Sequence, residues 1–123
     1  MRYLTDRKRA VGKGASGSGT EHHWHMQVSS VALAFLVPTF LIIFGRALGK
    51  GHAEVIATFS HPFVAILTAI VIFVSMRHFA AGATMMIEDY LRGWARKAAV
   101  MTAISLSYAI TAVGLFALAK IAL

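Results

Sequence analysis

Residues 62–93 read P-F-V-A-I-L-T-A-I-V-I-F-V-S-M-R-H-F-A-A-G-A-T-M-M-I-E-D-Y-L-R-G, and the fold turns on this stretch. Its apolar block, residues 63–87, holds Arg77 and His78 deep inside and stops at Glu88, Asp89 and Tyr90. At ~1.5 Å per residue, a helix of this length reaches across the ~30 Å of a bilayer's hydrocarbon. Pro62 suits the first helical turn, where its missing N–H is not needed. Ionisable side chains within such a span are expensive, which makes them functional candidates.

Two more blocks lie on either side. Residues 26–44 carry no charge until Arg46, and residues 98–119 carry none until Lys120. Pro38 falls inside the first and is expected to kink it. Trp24 and Trp94 sit where interfacial anchors sit. The expectation is an all-α membrane protein with three transmembrane helices, at about residues 26–46, 62–87 and 98–120. These form one anchor domain, residues 24–123, behind a polar tail, residues 1–23. Within the tail, the glycine–serine run from residue 14 to 19 is expected to be flexible, and Thr20 to cap the first helix. Residues 45–60 and 88–97 read as connections. The tail does not read as a cleavable signal peptide, because the apolar block after it is too long for one.

Composition agrees. The chain is 58% hydrophobic and 14% charged, where a soluble domain carries roughly 25% charged residues. The net charge of +7 would suit nucleic acid, but the basic residues gather at the ends of the apolar blocks, as topology signals do, so nucleic-acid binding is set aside. Arg2, Arg7, Lys8, Arg9 and Lys13 lie in the tail, and Arg92, Arg96 and Lys97 in the second connection. Only Arg46, Lys50 and Lys120 mark the opposite side. The N-terminus is therefore expected in the cytoplasm and the C-terminus in the periplasm, with the matrix replacing the cytoplasm in a mitochondrion. There is no cysteine, which excludes disulfides, thiolate-held iron–sulfur clusters in this chain and covalent c-type haem.

At ~100° per residue, His78, Gly82, Met85 and Asp89 share one stripe of the second helix. Among six histidines only His78 lies mid-span. A neutral imidazole there can ligate iron, the second axial ligand then coming from another chain. Gly82, with Ala80, Ala81 and Ala83, lets a flat macrocycle or another helix come close. A plain interhelical hydrogen bond and small-residue packing account for the same residues. Arg77, turned ~100° from His78, can pair with a haem propionate, a partner's carboxylate or a backbone carbonyl. Asp89 and Tyr90 lie ~16–18 Å along the axis from His78, at the cytoplasmic interface. There a tyrosine is an aromatic anchor, or a phenol donating to a quinone carbonyl with the acid beside it organising protons or water. His22, His23 and His25 read as a wet interfacial cluster, Met85 and Met86 as packing, and Ser105, Ser107 and Thr111 as interhelical contacts.

The segment H-F-A-A-G-A-T-M-M-I-E-D-Y resembles the haem-and-quinone segment of the small membrane-anchor D subunit of succinate dehydrogenase, respiratory complex II. The pattern is a mid-membrane histidine, a glycine four residues on, and Asp-Tyr eleven and twelve residues on; His78, Gly82, Asp89 and Tyr90 match it. The I-E-D-Y-L form is similar to the alphaproteobacterial and mitochondrial branch. The three spans, the polar leader and the G-T-E-H-H-W lead-in to the first helix extend the likeness over most of the chain. The resemblance implies a succinate:ubiquinone oxidoreductase in a bacterial inner membrane. A flavoprotein subunit carrying FAD, an iron–sulfur subunit and a second, cytochrome b anchor subunit would be its partners, with lipid around. It implies haem b shared between the two anchors, with His78 as this chain's axial ligand and Gly82 packing against the haem. Ubiquinone would be bound with Tyr90 as hydrogen-bond donor and Asp89 in support. Arg77 has no secure role in the family. Where family members often carry Gln-Arg near the start of the first helix, this chain has Gln27-Val28, which puts that arginine's role in doubt. The chain alone would be no enzyme. The competing readings are the anchor of a quinol:fumarate reductase, and a cofactor-free transporter or packing subunit in which Arg77 and His78 relay protons or ions.

Overall fold

The structure, a computed structural model, describes residues 5–12, 14 and 19–123. Among them are five helices: α1 (Asp6–Val11), α2 (Gly19–Ala47), α3 (His52–Ser60), α4 (Pro62–Tyr90) and α5 (Gly93–Ala122). Three of them, α2, α4 and α5, are long and apolar enough to cross a membrane, with mean hydropathies of 2.3, 2.0 and 1.8 in their most apolar windows. Phe35, Ile66, Val113 and Phe116 stand exposed on their outer surfaces. A helix that is apolar all round is a membrane span, and its backbone N–H and C=O groups are satisfied within the helix itself.

The element ends differ from the expectations in instructive ways. The helix α2 already begins at Gly19, so Thr20 lies inside it rather than capping it. It continues unbroken through Pro38, which supplies no N–H to the carbonyl one turn back. Residues 15–18 of the glycine–serine run, and Arg2 and Lys13 of the tail, lie outside the described residues. In the tail, α1 is a single short helix whose first turn is capped by Thr5, its Oγ1 accepting from Lys8 N–H at 3.3 Å.

The first connection holds a helix of its own. The chain turns after α2 at Gly49, in the left-handed region at φ +77°, and α3 follows. A residue before proline is disfavoured from helical geometry. His61 accordingly sits at φ −63°, ψ 126°, ending α3 and starting α4 with Pro62 in its first turn. Packed against α2, α4 and α5, α3 closes one end of the bundle. The second connection is shorter than expected. Glu88, Asp89 and Tyr90 form the last turn of α4, leaving Leu91 and Arg92 as the link. Leu91 N–H donates to the Ile87 carbonyl at 2.8 Å, and Gly93 opens α5 at φ +64°.

The central span is α4, packed against α2 on one side and α5 on the other. Small and β-branched side chains make these seams: Ala65, Thr68 and Val71 on α4 are buried, as is Ser107 on α5. Gly114 lets α5 approach closely, since a Cβ there would stand 3.4 Å from both Cδ1 and Cγ2 of Ile72. The hydroxyls of Ser107 and Thr111 on α5 do not bridge helices. Ser107 donates to the Ala103 carbonyl at 2.9 Å and Thr111 to the Ser107 carbonyl at 2.7 Å, within their own helix, and Ser105 is exposed.

Gly93→Ala forces a left-handed Cβ into the α4–α5 link and is expected to cost about 1–2 kcal/mol. Gly45→Ala, whose added Cβ meets open space inside α2, is expected to stabilise slightly, by about 0.5–1 kcal/mol. Thermal midpoints of the detergent-solubilised protein should move in opposite directions for the two variants.

Candidate functional site

Halfway along α4 the chain gathers its polar groups. His78 is half-buried and faces α2. Its Nδ1 lies 2.8 Å from Ser29 Oγ, which also donates to the Met26 carbonyl at 3.0 Å. Ser29–His78 is the one side chain–side chain hydrogen bond among the described residues. No half-buried or buried residue among them leaves a fully covered side-chain nitrogen or oxygen without a partner. The Nε2 of His78, which has no such partner, therefore retains accessible surface.

One turn on, Gly82 is also half-buried against α2. A Cβ built there would meet only Met26 Cε at 3.7 Å, an ordinary contact with the end of a flexible side chain. This face has room for one added methyl group, with Met26 at its edge. Further along the stripe, Met85 and Asp89 are exposed. Tyr90, at 82% exposure, projects from the last turn of α4. Asp89 and Tyr90 stand ~16–18 Å from His78 along the helix, and all of them are carried by one rigid element.

On another side of α4, α2 and α5 diverge and leave a cavity of about 300 Å³. Arg77 lines it together with His22 and His25 of α2, and Ser107, Tyr108 and Thr111 of α5, over an apolar wall that includes Phe73 and Ile104. Two of the three histidines expected to form a wet cluster therefore share a cavity with the mid-span arginine. Among the described residues no three His, Asp or Glu side chains converge on a common point for a metal ion. His78 stands apart from any such group: its Nδ1 is held by Ser29 and its Nε2 has no partner among the described residues.

Sequence reasoning passed over Ser29. Its signal was available: Gln27, Ser29 and Ser30 are the polar residues of the first expected span, residues 26–46, ahead of Pro38.

Three apolar spans, with a histidine at mid-depth and polar groups at the end of the same helix, define an integral membrane protein with its polar chemistry on the middle span. A family model described as succinate dehydrogenase/fumarate reductase transmembrane subunit matches residues 1–121. The succinate dehydrogenase hydrophobic membrane anchor subunit of Paracoccus denitrificans is 44% identical over 123 residues, covering 100% of this chain and 95% of that protein. No solved structure gives a significant match. The chain belongs to the family of succinate dehydrogenase/fumarate reductase transmembrane subunits, and it is a membrane anchor subunit of that kind.

Gly82→Ala adds one methyl group where it fits, and is expected to leave the thermal midpoint of the solubilised complex within about 1 kcal/mol of the parent. Gly82→Leu must displace Met26 and part of the α2–α4 seam, and is expected to lower that midpoint by the equivalent of about 1–3 kcal/mol.

Proposed function

We propose that this chain anchors a succinate:ubiquinone oxidoreductase in a bacterial inner membrane, contributing one axial imidazole to a haem b and part of a ubiquinone site. The observation that carries the proposal is His78. It is the mid-span histidine, its Nδ1 is engaged by Ser29 at 2.8 Å, and its Nε2 is left for a ligand one turn from the small residue Gly82. A second ligand to the iron would come from another chain, since no other histidine of this chain lies mid-span. When bound, the haem supplies a one-electron carrier within the membrane. The chain's own contribution is to orient the imidazole, keep water from it and fix the face on which the macrocycle lies.

Charge placement supports an N-terminus and an α4–α5 link on the cytoplasmic side, with the C-terminus in the periplasm. Tyr90 and Asp89 then face the side where an iron–sulfur subunit and its flavoprotein partner dock. Tyr90 donates its phenol O–H to a quinone carbonyl, and Asp89 orders water or protons beside it, for a two-electron, two-proton reduction. Both side chains are exposed on this chain, so the walls of the pocket come from the neighbouring subunits. Arg77 is exposed at mid-span and suits an acidic group brought by the assembly, a haem propionate or a partner carboxylate. The family description covers fumarate reductases as well, so a quinol:fumarate reductase anchor is the second reading; the 44% identical relative, named for succinate dehydrogenase, favours the first.

In the purified complex, His78→Leu is expected to abolish or strongly weaken the b-type haem absorption. A complex with an unchanged haem spectrum would remove His78 as ligand. Tyr90→Phe loses one hydrogen bond to substrate and is expected to lower succinate:quinone reductase activity about tenfold, while succinate oxidation with a soluble dye is retained. Equal loss of both activities would mean failed assembly rather than a damaged quinone site.

A further inference from the structure

We propose that Ser29 is the positioning residue for His78: its hydroxyl selects the imidazole tautomer that carries hydrogen on Nδ1 and so presents the Nε2 lone pair to iron. This deepens the haem reading of His78 and rests on it. The inference comes from counting protons. Ser29 Oγ has one hydrogen and two acceptors in reach, the Met26 carbonyl at 3.0 Å and His78 Nδ1 at 2.8 Å. A carbonyl can only accept. If Ser29 donates to Met26, the short contact to His78 is made by Nδ1–H donating to Ser29 Oγ, and both contacts are hydrogen bonds. If Ser29 instead donates to Nδ1, the Met26 contact is empty. The imidazole hydrogen then sits on Nε2, where no partner exists among the described residues. The first arrangement makes one more hydrogen bond in a medium where unmade ones are costly. It is also the one compatible with ligation through Nε2.

The location of Ser29 adds to this. The bond joins α2 to α4 across 49 positions of sequence, so it fixes the ring plane relative to a second helix rather than to its own backbone. A ligand ring held in this way is pre-oriented, and the hydrogen bond from Nδ1–H gives the imidazole more anionic character. That strengthens its donation to ferric iron. Removing the hydroxyl should therefore favour the ferrous state and loosen the haem.

The test uses the intact complex with Ser29→Ala, Ser29→Thr and His78→Leu. For Ser29→Ala we expect an assembled complex whose haem midpoint potential is raised. Haem transfer to excess apomyoglobin should be about tenfold faster or more, the usual scale for losing an outer partner of a metal-ligating histidine. Ser29→Thr, which keeps the hydroxyl, should restore both toward the parent. Ser29→Ala with parental potential and parental transfer rate would overturn the proposal, as would equal shifts for Ala and Thr. If Ser29→Ala fails to assemble, Ser29→Cys, of similar volume but a weak acceptor, is read instead: a raised potential supports the proposal and a parental one overturns it. His78→Leu separates the two levels. A parental haem spectrum in that variant removes the haem reading itself, whatever Ser29 does.

Discussion

A polar group in hydrocarbon has to find its partner inside the protein, and nearly everything in this structure follows from that constraint. Most hydroxyls in the spans solve it alone: Thr39, Thr68, Thr84 and Thr111 each donate to a carbonyl one turn back in the same helix. Such bonds say nothing about which helix lies next door. His78 cannot use that solution for its ring, and it reaches Ser29 on α2 instead. Since lipid is as apolar as leucine, hiding apolar side chains between helices brings little gain. The seams then rest on close packing, as between Ile72 and Gly114, and the rotation of α2 against α4 is marked by this one bond.

The sequence makes the three spans plain because their signal is crude: a long run without charge needs no partner to be recognised. The start of α4 is equally legible, because Pro62 restricts the residue before it and lacks an N–H of its own. What it does not show are features that depend on how the ends meet. Residues 88–90 read as a polar connection, yet they continue α4, since nothing in Glu-Asp-Tyr stops a helix and the stop comes with Leu91 and the left-handed Gly93. Similarly, α3 hides in a stretch that reads as a loop because, at nine residues, it is too short for a span.

Of the candidate site, the residues along α4 are legible because one helix sets their spacing by itself. His78 and Gly82 fall on one face whatever surrounds them. Their partners on α2 are a different matter. A helix that is apolar all round carries no stripe to say which side faces its neighbour, so neither Ser29 beneath His78 nor Met26 beside Gly82 follows from periodicity. The same holds for the cavity that brings Arg77 together with His22 and His25, residues more than fifty positions apart that meet because α2 and α5 diverge around α4.

These two kinds of placement bear on how such a subunit divides its labour. A ligand to a metal must be held within a fraction of an ångström, and His78, the ligand on the proposed function, has its support within this same chain, on the neighbouring span. A quinone must enter and leave with each turnover. Asp89 and Tyr90 sit at the end of α4 with their side chains exposed and no brace of that kind among the described residues. On the proposed function, the permanent cofactor is fixed by contacts this polypeptide makes on its own. The transient one is bound at a seam that exists only when the subunits assemble. An anchor built this way would couple quinone binding to assembly, since Tyr90, exposed on this chain, would gain a pocket only once other subunits covered it.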